Sequence, residues 1–354
     1  MRSSRSSSLS PLWTLAGLAA AGYAVSQLRR DPRFFQDKVV LITGGSRGLG
    51  LAIARRLRAE GASLALLARD ADELERARQD LLTIPTPAGG EADPGEVLAV
   101  PCDLAQPAAI PDAIHAVTRH FGALDVVIND AGIIQAGPLQ NMTVEDFERT
   151  MQVNFWAAFH VNRAARPHLH GERGARIVNV ASIGGRIAVP HLAPYSASKF
   201  ALVGYSSALT TELARDGIRV TTVSPGLLRT GSHIKAEFKG QHAKEFDWFA
   251  TSNSFPLDST SAEGAAKLIV EACRRGQPVL TFPLSTRAAE IAQAVFPNLT
   301  ARALQLVNRY VLPAPGTGPT AQQIRTGAQS RSMETTPAWK TTFADAAVGS
   351  HNES

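Results

Sequence analysis

The chain has 354 residues, is 44% hydrophobic and carries a formal net charge of +5 with two cysteines, Cys102 and Cys273. The length suits one large α/β domain with tails, and the apolar fraction is ample for a core. Two distant cysteines argue for a reducing compartment and against a disulfide framework or a metal centre, and mild basicity without a nucleic-acid motif gives no case for a nucleic-acid partner.

Residues 1–10 are rich in Ser and Arg. Residues 11–28 are apolar and uncharged, with arginines on both flanks. As a helix this run spans about 27 Å, close to the ~30 Å hydrocarbon core. We read it as a single membrane anchor; a removed signal peptide and a packed surface helix remain the other readings. Residues 38–43 (KVVLIT) are a buried strand, followed by Gly44-Gly-Ser46-Arg47-Gly48-Leu49-Gly50 and a helix from 51 to 59. Strand, glycine turn and helix set free backbone N–H groups and a positive dipole end against a phosphate.

Residues 63–68 (SLALLA) are the second strand, ending at Arg69. In dinucleotide folds an acid at this strand end binds the ribose hydroxyl of NAD. Here Ala68 and Arg69 stand there, with Arg47 as a second cation, a pair suited to a 2′-phosphate. Asp70 caps a helix over 71–82. Residues 84–96 are a Pro/Gly loop, 97–101 the third strand, then Cys102-Asp103-Leu104. Residues 124–128 are the fourth strand, running into Asn129-Asp130-Ala131-Gly132. A helix follows over 143–161 with Thr143 as its cap, and it contains Asn154, an unusual interior residue.

The stretch 176–213 organises the chain. Residues 177–181 form a β-branched strand ending at Ser182; a Gly/Pro loop follows; Tyr195 opens a helix with Lys199 four residues on. Positions i and i+4 share a helix face, so phenol and ammonium enter the same space, where the cation favours phenolate. Hydroxyl, phenol and ammonium together make a proton-transfer site. Residues 219–223 are the sixth strand, leading into Ser224-Pro225-Gly226-Leu-Leu-Arg-Thr230. In 231–259, Phe238, His242, Phe246 and Phe249 recur at helical spacing. A helix (261–275), a seventh strand (278–282) and two helical patterns over 287–312, split at Pro297, follow. Leu304, Val307 and Val311 make an apolar stripe that reads as packing. Residues 313–354 are Pro/Gly/Thr/Ser-rich and read as disordered.

Taken in order, TGxxxGxG, the Asn129–Gly132 segment, Ser182, Tyr195-Ser-Ala-Ser-Lys199 and the PGxxxT segment resemble the short-chain dehydrogenase/reductase family over about 37–283. Asp130 replaces the family's usual second Asn. The resemblance implies a Rossmann-like, doubly wound parallel sheet of about seven strands with helices on both faces. It implies hydride transfer between NADP(H) and a carbonyl or alcohol carbon, with Asn154, Ser182, Tyr195 and Lys199 as the catalytic set. Gly44, Ser46, Arg47, Gly48, Leu49, Gly50, Arg69, Asp103, Leu104, Asn129, Ala131, Gly132, Pro225, Gly226 and Thr230 are the implied cofactor residues, joined by Tyr195 and Lys199. Asp103 is assigned to the adenine, with helix capping as its other reading. Residues 231–260 form the implied lid, whose phenylalanines would wall an apolar substrate. A homodimer or homotetramer on the cytoplasmic side is expected. The competing reading is a silent dinucleotide-binding regulator or scaffold.

Overall fold

The computed structural model describes residues 31–87, 95–254, 259–331, 348 and 350–352; the expected anchor at 11–28 lies outside them. β1 (Val39–Thr43) turns at the glycines into α1 (Gly48–Arg58). β2 (Ser63–Ala68), α2 (Ala71–Leu82), β3 (Val97–Pro101), α3 (Ala109–Phe121) and β4 (Val126–Asn129) complete the first half. After the short β5 (Gln135–Ala136) come α4 (Val144–Met151), α5 (Ala157–Ala165), β6 (Arg176–Val180), α6 (Ala193–Glu212) and β7 (Arg219–Pro225). β8 (Leu227–Arg229), α7 (Ser232–Lys235), β9 (Glu237–Phe238), α8 (His242–Ser254) and β10 (Ser259–Ser261) lie outside the main sheet, with β8 paired to β10 and β9 to β5. α9 (Ala262–Arg275), β11 (Val279–Phe282), α10 (Leu284–Val295) and α11 (Pro297–Tyr310) follow, then β12 (Arg325–Thr326) and α12 (Gly327–Arg331).

Seven strands pair in the order β11–β7–β6–β4–β1–β2–β3, all in parallel. Side chains alternate across the sheet, so each strand feeds two cores. Val40 and Ile42 pack with Leu51, Leu57, Leu74 and Ile269 from α1, α2 and α9. Val39 and Leu41 pack with Ile110, Val117 and Val161 from α3 and α5. The doubly wound sheet expected from the sequence is therefore present. Strand order reverses between β1 and β4, which opens a cleft at their carboxyl ends.

Three local expectations change. The helix expected over 143–161 is not one α-helix: residues 152–156 form a π turn, with Asn154 inside it. The stripe on α11 does not pack; that helix has no buried residue. Disorder does not hold for residues 313–331. β12 pairs antiparallel with β9, Asn141 exchanges two hydrogen bonds with the Gly316 backbone (3.0 Å each), and Gly240 N–H donates to Ala321 O. Hydrogen bonding to residues 141 and 237–240 replaces the hydrophobic drive that this composition lacks. Residues 332–347 lie outside those described.

Candidate active site

The glycine turn is built by backbone geometry. Gly44 and Gly48 sit at φ +72° and +55°, a region that favours glycine, and a Cβ on Gly50 would collide with the Gly44 carbonyl. The turn delivers the N-terminus of α1, with its positive dipole end, to the cleft. Thr43 Oγ1 receives N–H bonds from Asp130 (3.2 Å) and Ala131 (3.3 Å), tying the turn to the end of β4. Across the cleft, Gly226 N–H donates to Phe282 O, and buried Thr230 follows β8. A Cβ on Gly132 would come within 3.1 Å of Asn154 Oδ1 and 3.5 Å of Lys199 Nζ. Glycines at each close approach, a helix N-terminus and a buried ammonium fit a dinucleotide laid along this edge.

The four implied catalytic residues converge from three elements. Ser182, in extended backbone after β6, accepts the Gly184 N–H at 3.0 Å and is hydrogen-bonded to the Tyr195 side chain. Lys199, 4% exposed, donates from Nζ to Val180 O at 3.0 Å, with Nζ 5.8 Å from the Tyr195 ring centroid. Asn154 accepts from Ile133 N–H (2.8 Å) and donates to Ile133 O and Ser198 Oγ, both at 3.0 Å. The π turn supplies this side chain by adding a residue to the helical repeat. Ser198 Oγ donates in turn to Tyr195 O at 2.7 Å, closing a chain from Asn154 to the Tyr195 backbone.

Burial dominates the electrostatics of the site. Burial pushes the Tyr195 phenol up to about 12; the bond with Ser182 pulls it down and the Asp130 charge pushes it up. Burial likewise holds the Lys199 ammonium down to about 8, against the opposing pull of Asp130. Asp130 is the third member of this group. Burial pushes its carboxyl up to about 7, opposed by Lys199 and by a hydrogen bond from the Gly50 N–H.

A model of the short chain dehydrogenase family matches residues 38–239. The chain belongs to that family. A dehydrogenase/reductase SDR family protein 7-like of Anopheles gambiae is 31% identical over 290 residues, covering 80% of this chain and 87% of that one. A dehydrogenase/reductase from Sinorhizobium meliloti is 32% identical with a TM-score of 0.59, over 70% of this chain and 94% of that one. A short chain dehydrogenase from Burkholderia cenocepacia, solved in complex with NADP, is 30% identical with a TM-score of 0.59, over 72% and 99%. This short-chain dehydrogenase is thus an oxidoreductase of the CH–OH/C=O class that uses a nicotinamide dinucleotide.

Several of the residues named from the sequence are held by bonds within this dehydrogenase. Asn129, 3% exposed, turns inward and donates to Asn162 Oδ1 (2.8 Å) and Asn179 Oδ1 (2.9 Å). Asn179 continues to Ser206 Oγ (3.0 Å), which receives Thr222 Oγ1 (2.7 Å). This buried polar network joins β4, α5, β6, α6 and β7 beneath the catalytic residues. Asp103 accepts the Ala105 N–H in the turn before α3, and Leu104 is buried. Phe238, Phe246 and Phe249 pack on one another, with Phe238–Phe246 and Phe238–Phe249 centroids 5.8 and 5.7 Å apart. Half-buried Ile134, Val189 and Trp248 join that cluster beside Tyr195.

Sequence reasoning missed three features. Glu73 stands in the cation pocket, 3.7 Å from Arg47 Nε and 3.8 Å from Lys235 Nζ, while Arg69 is exposed. Its position at the third residue of α2 was a signal, since Asp70 had marked the helix start. His191, at φ +64°, lies 3.0 Å by Nδ1 from both oxygens of fully buried Glu245, which also accepts from Trp248 Nε1 (2.7 Å). That bridge fastens α8 to the loop leading into Tyr195. Finally, C-terminal residues lie on the glycine turn. Gly48 N–H donates to His351 O (2.9 Å), and Asn352 Nδ2 donates to Ser46 O and Glu73 O (2.9 and 3.1 Å).

Proposed function

We propose that this dehydrogenase interconverts an apolar carbonyl compound and its alcohol with NADP(H), Tyr195 moving the proton. The observation that carries the reading is the enclosed Tyr195 hydroxyl, bonded to Ser182 with the Lys199 ammonium alongside. A phenol held near 12 stays protonated at neutral pH, which suits the acid of carbonyl reduction. Ser182 Oγ holds the substrate oxygen, and Tyr195 gives or takes its proton. Asn154 and Lys199 fix the surrounding hydrogen bonds. The dinucleotide, when bound, supplies the hydride.

Ile134, Val189 and Trp248 offer apolar surface beside Tyr195, which supports an apolar substrate. Because Phe238, Phe246 and Phe249 are buried, they back this wall rather than form its surface. NADP rests on Arg47, Arg69 and the missing acid at the end of β2, and the Burkholderia relative was solved with that cofactor. Glu73 is the one observation that favours NAD, because a carboxylate there repels a 2′-phosphate. We further propose pairing of copies through α4–α6, where Phe155, Trp156, Phe159 and Tyr205 form a half-exposed aromatic cluster. The cytoplasmic side is argued from cofactor supply and two free, buried cysteines, with residues 11–28 as the anchor.

The test is Tyr195→Phe. Turnover should fall about 100- to 10,000-fold with dinucleotide binding nearly intact. Wild-type kcat in that variant would sink the assignment. A wild-type protein that binds NADPH but turns over no member of a carbonyl panel would favour the silent regulator.

A further inference from the structure

We infer that the outer face of α10 and α11 seats this dehydrogenase on an anionic lipid surface. Nine of the seventeen exposed large apolar residues among those described fall within residues 284–311. Leu284, Leu299, Tyr310 and Val311 are 79%, 66%, 71% and 69% exposed. In α10, Leu284, Ile291 and Val295 follow steps of seven and four; in α11, Leu299, Leu306 and Tyr310 do the same. That spacing gives each helix one apolar stripe. Among the described residues α11 buries nothing and α10 only Thr286, so neither stripe faces the core. A soluble chain rarely leaves so large a patch uncovered.

Charge selects the occupant. The exposed charged residues on the two helices are Arg287, Arg302 and Arg309, all positive. Their single acid, Glu290, is turned inward, 3.3 Å from Arg186 Nε and accepting from Thr281 Oγ1 at 2.7 Å. Apolar stripes bordered by arginines and free of outward acids match a bilayer interface with anionic headgroups. A second copy would bring three more arginines to the same face, and like charges oppose that pairing. Residues 11–28 carry no charge and cannot answer the arginines. The site is also well placed. α10 starts where β11 ends, at the carboxyl edge of the sheet, and Glu290 ties it to Arg186 in the loop after Ser182. Docking would therefore turn the mouth of the catalytic cleft toward the lipid. Lipid binding is read without turnover, so it stands or falls separately from the proposed reaction.

The experiment is flotation of the chain from Asp31 onward, where the described fold begins, with phosphatidylcholine vesicles, with and without phosphatidylglycerol. Residues 11–28 are absent from the wild type and every variant, so an anchor there cannot mask the face, and cooperative melting shows that the shortened chain folds. The wild type should float preferentially with anionic vesicles. The variant L299S/L306S/Y310S should lose about tenfold in bound fraction, and R287Q/R302Q/R309Q should lose the anionic preference and its salt sensitivity. Flotation equal to wild type in both variants overturns the proposal. So does a marked loss of melting temperature in the serine variant, which would show the face packed within its own chain. A wild-type dimer that dissociates in the serine variant would assign the face to a second copy and overturn it equally.

Discussion

Replacing Asp130 with Asn tests whether a half-buried acid beside Lys199 shapes this site. The carboxyl's rise from 3.8 to about 7 means the folded chain holds that proton more tightly than the unfolded chain. Stability from this group is therefore complete below pH 3.8 and is lost as pH climbs through about 7. The full difference corresponds to about 4 kcal/mol, an upper figure. D130N cannot ionise, and its amide oxygen still accepts the Gly50 N–H. Part of the gain is returned, because the Lys199 ammonium loses an attractive neighbour. D130N should exceed the wild type by about 1 kcal/mol at pH 4.5 and by about 2–4 kcal/mol at pH 8. Urea unfolding of the protein without dinucleotide, at both pH values, reads this, since the difference of differences removes every titrating group that does not sense Asp130, with Lys199 the partner that does. In activity, Lys199 should give up its proton at lower pH than in the wild type, moving the alkaline limb of kcat downward. Equal stability of the two proteins at pH 8 would refute the upward shift of this carboxyl.

Three further outcomes are expected. R69D should shift kcat/KM toward NADH, and E73Q should raise it with NADPH, each by about tenfold through loss or relief of one charged contact; equal wild-type efficiency with both cofactors would count against NADP preference. E245A should cost at least about 2 kcal/mol in urea unfolding, because the His191 and Trp248 donors lose a buried acceptor; an unchanged midpoint would mean the bridge contributes nothing. A chain stopped after Ala347 frees the Gly48 N–H from His351, so the dinucleotide Kd from fluorescence titration should tighten about fivefold, the worth of one hydrogen bond; an identical Kd would place tail and dinucleotide on separate ground.

The sheet could be read from the sequence because parallel strands buried on both faces are continuous apolar runs, as in residues 63–68; the edge strand 97–101 is only partly buried, yet its run is apolar too, and the structure reproduces the bounds of both. The convergence of Ser182, Tyr195 and Lys199 was legible because the i, i+4 rule is local. Long-range contacts were not legible. Asn141 meets Gly316 across 175 residues, and no periodicity announces that pairing. The direction of a side chain at a strand end is equally hidden: Asn129 turns into the protein while its neighbour Asp130 lies against Gly50. Spacing shows which charge is near Tyr195 but not how dry the pocket is, and burial is the largest influence on its phenol.

The π turn at 152–156 also bears on how this chain tolerates changes in length. One residue of an α-helix advances the side-chain direction by about 100°. Shortening the segment by a single residue would restore a regular helix, yet it would rotate α5 by that angle relative to α4. Val161 and Ala165, now buried against the sheet, would swing off it, while Asp146 and Thr150 upstream kept their places. The segment therefore accepts substitutions far more readily than deletions, and a one-residue deletion there should damage folding more than the loss of Asn154 as a side chain.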